Sequence, residues 1–239
     1  NWKDVAFLSY VYPNNSKFTN TKFITSQPLN SGVNPGWHVT MYDVSGIEFL
    51  GCEFSNTLSN SLVFERGSGI KSIDSKFKVT GLCSPALPLS GPCQNFTFSS
   101  FKKLDFGIDA TATNQNQTVE VSYSNFDEVI RGIALTGIDN SPIYENTIHL
   151  ISSPTVSNID AAVGIHVISC ESHSIENNSI YGSDTDLKTF GIVIDNSNLG
   201  GTIDAFNQVY RNDLHNLTFG ITANKTNAKI QDNSNLEHF

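Results

Sequence analysis

His166 and Asp195 stand in two copies of one short motif, at Gly164-Ile165-His166-Val167 and Gly191-Ile192-Val193-Ile194-Asp195. An imidazole oriented by a carboxylate can act as a general base, which makes this pair the best acid–base candidate in the chain. Asp109 follows a third copy, Gly107-Ile108, and is the next candidate. Metal chemistry has less to draw on, because the chain contains no Cys-x-x-Cys, no His or Cys cluster at zinc spacing and no Gly-Gly-x-Gly-x-Asp calcium repeat. No metal or cofactor is therefore expected. Trp37, His38 and Tyr42 fall within one short stretch, and exposed aromatic rings stack on sugars, so these three are candidate glycan-binding residues. Arg131, one of three arginines, reads either as a contact for an acidic sugar or as a guanidinium stacked on Phe106.

The cysteines point to a compartment rather than to a reaction. Cys83 and Cys93 bracket a Pro-, Ser- and Gly-rich stretch, CSPALPLSGPC, which suits a loop closed by a disulfide; two free thiols is the alternative. Cys52 and Cys170 read as unpaired buried residues. Six Asn-x-Ser/Thr sequons occur, at Asn14, Asn95, Asn116, Asn177, Asn216 and Asn224. About five are expected by chance at this Asn, Ser and Thr content, so they carry no argument for glycosylation.

The elements that must position these residues come from an internal repeat. A polar-x-apolar motif ends at Phe23, Phe54, Phe77, Phe101, Phe126, Ile148, Ile180, Leu214 and Leu236, in steps of 31, 23, 24, 25, 22, 32, 34 and 22 residues. The basic period is about 22, and three longer steps carry insertions. The Gly-Ile-x-apolar motif recurs at Gly107, Gly132, Gly164, Gly191 and Gly220, and Ile133, Ile165 and Ile221 each lie 15 residues before a member of the first column. The same offset picks out Leu8, Val39 and Leu62. A third column runs Phe18, Phe49, Phe96, Val121, Ile143, Ile175 and Val209.

Each of these apolar residues has small or polar neighbours, as a strand with one buried face requires, and three columns per 22 residues cannot be helical. Three short strands joined by tight turns make one coil. Stacked coils bury like residues on like residues. The chain thus reads as all-β, a parallel β-helix of three sheets and about nine coils, a rod roughly 43 Å long. Phe54, Phe77, Phe101 and Phe126 are expected to stack as one buried column. The residue two before each member of the first column is small and polar, suited to bend inward and bond its counterpart one coil away.

The pattern Gly-Ile-x-Val followed by Ile-x-Asn-Asn-x-Ile is plainest at GIHV (164–167) and SIENNSI (174–180). It resembles the repeat of the right-handed parallel β-helix of the pectin-lyase-like superfamily, over residues 5 to 236. RGSGIKSID (66–74) and YRN (210–212) further resemble, in style, β-helical regions of large secreted proteins of Bacteroidota. The resemblance implies a right-handed coil, with Leu8, Val39, Leu62, Ile108, Ile133, Ile165, Ile192 and Ile221 facing inward from the first sheet. It places long loops at 24–37, 149–163 and 181–190 between third and first sheets, and at 195–207 between first and second. One coil is a misfit: counting back 15 from Phe101 reaches Ala86, between Pro85 and Pro88, where a central strand is disfavoured. The Cys83–Cys93 loop is expected to replace or bulge that strand.

Enzymes of this superfamily work on the outward face of the first sheet. The outward positions implied here include Thr40, Tyr42, Glu65, Asp109, Ala134, His166, Ile168, Val193, Asp195 and Asn224. The Gly-His-Gly and Arg-x-Lys of polygalacturonase-like hydrolases are absent, and Glu65, Asp109 and Asp195 are too dispersed for a calcium cage of the pectate-lyase kind. The column of glycines leaves either a shallow trough or room for the backbone to turn into each strand.

Composition limits the partners. With 14 Lys and Arg against 23 Asp and Glu the net charge is −9, which argues against nucleic acid and against an anionic membrane surface. No apolar run in the 239 residues reaches the length of a membrane span. The expectation is a single β-helical domain over 1–239, extracellular or at a cell surface, without catalysis and with a structural or adhesive role. A polysaccharide lyase or glycoside hydrolase and a glycan-binding module are the alternatives. A polysaccharide or cell-surface glycan is the expected partner, together with the remainder of a longer parent protein at both ends, because a bare β-helix end exposes backbone and core.

Overall fold

A computed structural model describes residues 14–26, 36–58, 66–83, 93, 95–113, 117–151, 161–183, 188–197, 207–224, 229–230 and 236–237. The described residues contain strands and turns and no helix. Three parallel sheets of seven strands each wind into a right-handed β-helix.

The first sheet holds β3 (Trp37–Tyr42), β6 (Ser68–Ile73), β11 (Phe106–Thr111), β14 (Arg131–Thr136), β17 (Ala162–Ile168), β20 (Thr189–Asp195) and β23 (Phe219–Asn224). The second holds β1 (Lys17–Thr19), β4 (Ser45–Leu50), β7 (Lys76–Thr80), β12 (Val119–Ser122), β15 (Pro142–Tyr144), β18 (Ser174–Glu176) and β21 (Gln208–Tyr210). The third holds β2 (Lys22–Thr25), β5 (Glu53–Asn56), β10 (Ser99–Lys102), β13 (Ser124–Val129), β16 (Thr147–Leu150), β19 (Ser179–Gly182) and β22 (Asp213–His215). Two short antiparallel pairs stand apart: β8 (Leu82–Cys83) with β9 (Phe96–Thr97), and β24 (Lys229–Ile230) with β25 (Leu236–Glu237).

The coils number about seven, not nine, and the difference lies in two places. Phe77 does not join the Phe column. It pairs with Ile47 and Val119 in the second sheet, and the third-sheet column runs Phe23, Phe54, Phe101, Phe126, Ile148, Ile180 and Leu214. Leu236 pairs antiparallel with Ile230 and adds no coil to the stack. Two apparent coils, ending at Phe77 and Phe101, are therefore one: β6, β7 and β10. Its inward first-sheet residue is Ile70, in register between Val39 and Ile108. Leu62, Leu8 and Glu65 lie outside the described residues. Phe96 is likewise absent from the second-sheet column, where Val79 stands between Phe49 and Val121.

The Cys83–Cys93 disulfide is formed, with Cα atoms 5.8 Å apart. Its loop replaces no first-sheet strand. It is inserted between β7 and β10, at the corner from second to third sheet, which removes the misfit at Ala86. The other long connections fall at the expected corners, between β2 and β3, β16 and β17, β19 and β20, and β20 and β21.

The core is a set of ladders. Phe23, Phe54, Phe101 and Phe126 stack with centroids 4.8, 4.6 and 4.6 Å apart and rings within 5° of parallel. At the corner from second to third sheet one residue takes a left-handed φ, as at Asn20 (48°), Gly51 (60°), Tyr123 (46°), Glu145 (56°), Asn177 (52°) and Arg211 (55°). The next residue turns its side chain inward. Asn146, Asn178 and Asn212 form a bonded ladder there, in which the Nδ2 of each of the first two donates to the Oδ1 of the next, at 2.9 and 3.0 Å. The glycine column answers to neither a trough nor a special turn, since a Cβ at Gly107 would lie 2.5 Å from the Phe126 ring and 2.6 Å from the Gly132 carbonyl oxygen. At Gly107, Gly132, Gly164 and Gly191 glycine is needed because the next coil's carbonyl oxygen and an apolar side chain of the core occupy that space.

Candidate functional site

The outward face of the first sheet is built from two alternating rows. In register these are Thr40, Lys71, Asp109, Ala134, His166, Val193 and Thr222, and Tyr42, Ile73, Thr111, Thr136, Ile168, Asp195 and Asn224. His166 opposes Val193 and Asp195 opposes Ile168, so the two are diagonal neighbours across β17 and β20. Their side chains meet, with His166 Nε2 2.8 Å from Asp195 Oδ2 and both largely shielded, at 19% and 24% side-chain exposure. The carboxylate can hold the imidazole in one orientation. Around the pair stand the hydrocarbon side chains of Ala134, Val193 and Ile168, while Asn224 is in register with Asp195 on its other side.

Asp109 is not part of that arrangement. It sits two strands away on β11, beside Lys71 in register, and burial raises its pKa while Lys71 and Arg131 oppose the rise. Asp195 is three strands from it, about 14 Å at the spacing of paired strands. Among the described residues no group of three or more His, Cys, Asp or Glu is arranged to hold a metal ion.

The aromatic candidates separate. Trp37 and Tyr42 stand at opposite ends of β3, and Tyr42 is half exposed. The Trp37 ring lies 5.7 Å from Phe106, with Lys71 Nζ 5.6 Å from its centroid. Arg131 continues this edge, its guanidinium 5.1 Å from the Phe106 ring. His38 instead turns towards the core beside Phe54, with Nε2 3.2 Å from Thr25 Oγ1, and burial lowers its pKa to about 4.

Three buried groups escaped the sequence reading, because each sits at a corner rather than in a strand column. His173 is fully buried between Cys170 and β18, and burial lowers its pKa to about 4, against an opposing hydrogen bond with the Cys170 backbone. Asn207, the residue before β21, leaves its Oδ1 unbonded one coil away. Asp105 precedes β11, and its Oδ1 is buried without a partner; burial raises its pKa to about 7 despite Arg66 nearby. Arg66 itself is held by the Glu128 carbonyl (3.2 Å) and carboxylate (3.6 Å).

These groups act oppositely with pH. His173 binds its proton less readily folded than unfolded, so its contribution is present above pH 6.5 and is lost as pH falls towards 4, by about 3 kcal/mol. Asp105 binds its proton more readily folded, so it destabilises above pH 7 and that penalty is relieved as pH falls towards 3.8. Asp105→Asn is expected to stabilise the protein at pH 8 by about 1–2 kcal/mol, discounted for the part of the carboxyl that water reaches. The gain should vanish near pH 4, leaving a steeper acid loss than in the parent. Urea melts from pH 8 to 4 check this, and a variant no more stable at pH 8 contradicts it.

Comparison of the chain with protein-family models, with curated proteins and with solved structures gave no match. Among the described residues no helix is long and apolar enough to cross a membrane.

Proposed function

We propose that this chain is a non-catalytic β-helical segment of a secreted or cell-surface protein, of the pectin-lyase-like kind, with a structural and adhesive role. The spacing of carboxylates on the outward first-sheet face carries the reading. Asp109 and Asp195 are separated by two intervening strands, β14 and β17. Carboxyl pairs that cleave a glycosidic bond stand about 5–9.5 Å apart, well short of that separation. The Cys83–Cys93 disulfide supports an oxidising compartment, and hence export. The surface ion pairs Lys17–Glu48, Lys22–Glu53 and Lys78–Glu120 join neighbouring coils and suit a rod whose work is to hold its shape.

A lyase or glycoside hydrolase is the second reading, and the His166–Asp195 contact is the observation in its favour. The two part on turnover. No cleavage is expected on a panel of acidic and neutral polysaccharides, followed by reducing-end release and by absorbance of unsaturated products. Cleavage abolished by both His166→Ala and Asp195→Ala would transfer the assignment to the enzyme.

A further inference from the structure

The β8–β9 pair and the residue just beyond it carry two of the few large apolar side chains that face solvent among the described residues. Phe96, on β9, is 36% exposed and Phe98, just beyond it, 43%. The β8–β9 pair lies over the corner between second and third sheets, where glycines make room for it. A Cβ on Gly81 would come within 3.1 Å of the Phe96 ring, and one on Gly51 within 2.9 Å of Leu82. The Phe96 ring stacks on Tyr123 at 4.5 Å and 9°, Phe98 lies 6.4 Å from the same ring, and Tyr144 meets it edge-on at 5.7 Å. Further along the corner, two coils on from Tyr144, Tyr210 is 39% exposed, with the Arg211 guanidinium 5.8 Å from its centroid.

The backbone supplies a second, independent observation. The equivalent corner position is Asn20, Gly51, Glu145, Asn177 and Arg211 in other coils, all at a left-handed φ that Asn and Gly accept most readily. Tyr123 occupies it at φ 46°, an unfavourable conformation for a bulky residue, and there its ring joins the cluster.

We propose that Phe96, Phe98, Tyr123 and Tyr144 form a stacking platform for a neutral, hydroxyl-rich glycan at the corner between second and third sheets, away from the first-sheet face. Flat pyranose C–H faces lie against exposed rings, and the surrounding polar groups suit hydroxyls. Tyr144 Oη donates to Glu120 Oε1 at 3.1 Å, and Lys78 Nζ holds the same oxygen at 2.7 Å. Glu176 stands in register between Tyr144 and Tyr210, and Glu145 is exposed beside them. These carboxylates accept from sugar hydroxyls and repel an acidic polysaccharide. Breaking the rings up with charge also disfavours a dry protein interface, whose centre is depleted of charged residues. The inference rests on the adhesive reading and gives it a ligand class and a location.

The test uses the full chain in calorimetric titrations with cellohexaose, β-1,4-mannohexaose and hexagalacturonate. At least one neutral hexaose should bind and hexagalacturonate should not. Tyr123→Asn places at the corner the residue that other coils use there, so the fold should hold by thermal melt, while affinity falls roughly tenfold. Phe98→Ser should weaken binding similarly. Failure of both neutral hexaoses to bind overturns the platform. Binding unchanged in both variants but lost in Trp37→Ala also overturns it, yet leaves the adhesive reading standing with its site on the first sheet. Self-association seen by light scattering and lost in Tyr123→Asn would assign the rings to a protein contact, against the proposal.

Discussion

Phe101→Ala should cost about 3–5 kcal/mol in denaturant melts, among the largest effects available in this chain. The side chain is fully buried, with Phe54 stacked on one face and Phe126 on the other, each at 4.6 Å. Its edge fills the space that Gly69 leaves open: a Cβ there would lie 2.8 Å away. The flanking rings belong to strands hydrogen-bonded in register on both sides, so they cannot slide together to close the void. Phe219 is the internal control. It is 51% exposed and, among the described residues, stacks on Phe190 alone, so Phe219→Ala should cost about 1 kcal/mol or less. Equal losses at the two positions would mean that the column is not the packed element described.

Asn178→Leu should destabilise by more than about 4 kcal/mol although it keeps the number and branching of side-chain heavy atoms. Asn178 is buried. Its Nδ2 donates to the Ile143 carbonyl and to Asn212 Oδ1, both at 3.0 Å. Its Oδ1 accepts from the Asn146 backbone N–H at 3.1 Å and from Asn146 Nδ2 at 2.9 Å. Leucine removes all four bonds and leaves a backbone donor and a backbone acceptor without partners, at about 1–3 kcal/mol each. Hydrogen exchange gives the local readout: the Asn146 amide should lose its protection before amides of β11 do. A loss under about 1 kcal/mol would show that the ladder is decorative.

The period of the fold was readable because a coil stacks like residues. Ile108, Ile133, Ile165, Ile192 and Ile221 occupy one register in the structure, as their shared Gly-Ile motif predicts. The same regularity misled at Phe77. Ser75-Lys76-Phe77 copies the polar-x-apolar motif of the third sheet, yet its strand belongs to the second. Both Phe77 and Val79 face inward there, so the motif alone cannot say which sheet the strand joins. The deciding signal was present in Gly69-Ile70, a copy of the Gly-Ile motif displaced by a long connection before it and the disulfide loop after it. The His166–Asp195 contact was legible because strands of fixed spacing bring adjacent-coil residues together. The Phe96–Tyr123 platform was not, since the hairpin that carries Phe96 is outside the repeat and its placement depends on a cross-link and two glycines.

The cross-link between Cys83 and Cys93 also sets how the rod would respond to tension. A surface protein pulled from its ends would peel coil by coil, each coil releasing its contour as its three strands detach. In the coil of β6, β7 and β10 the disulfide withholds the 10-residue separation it spans, about 35 Å of extended chain. That slack stays locked for as long as the surroundings are oxidising. Unravelling of this coil would therefore give a shorter step than its residue count implies, and added reductant would lengthen that one step and no other.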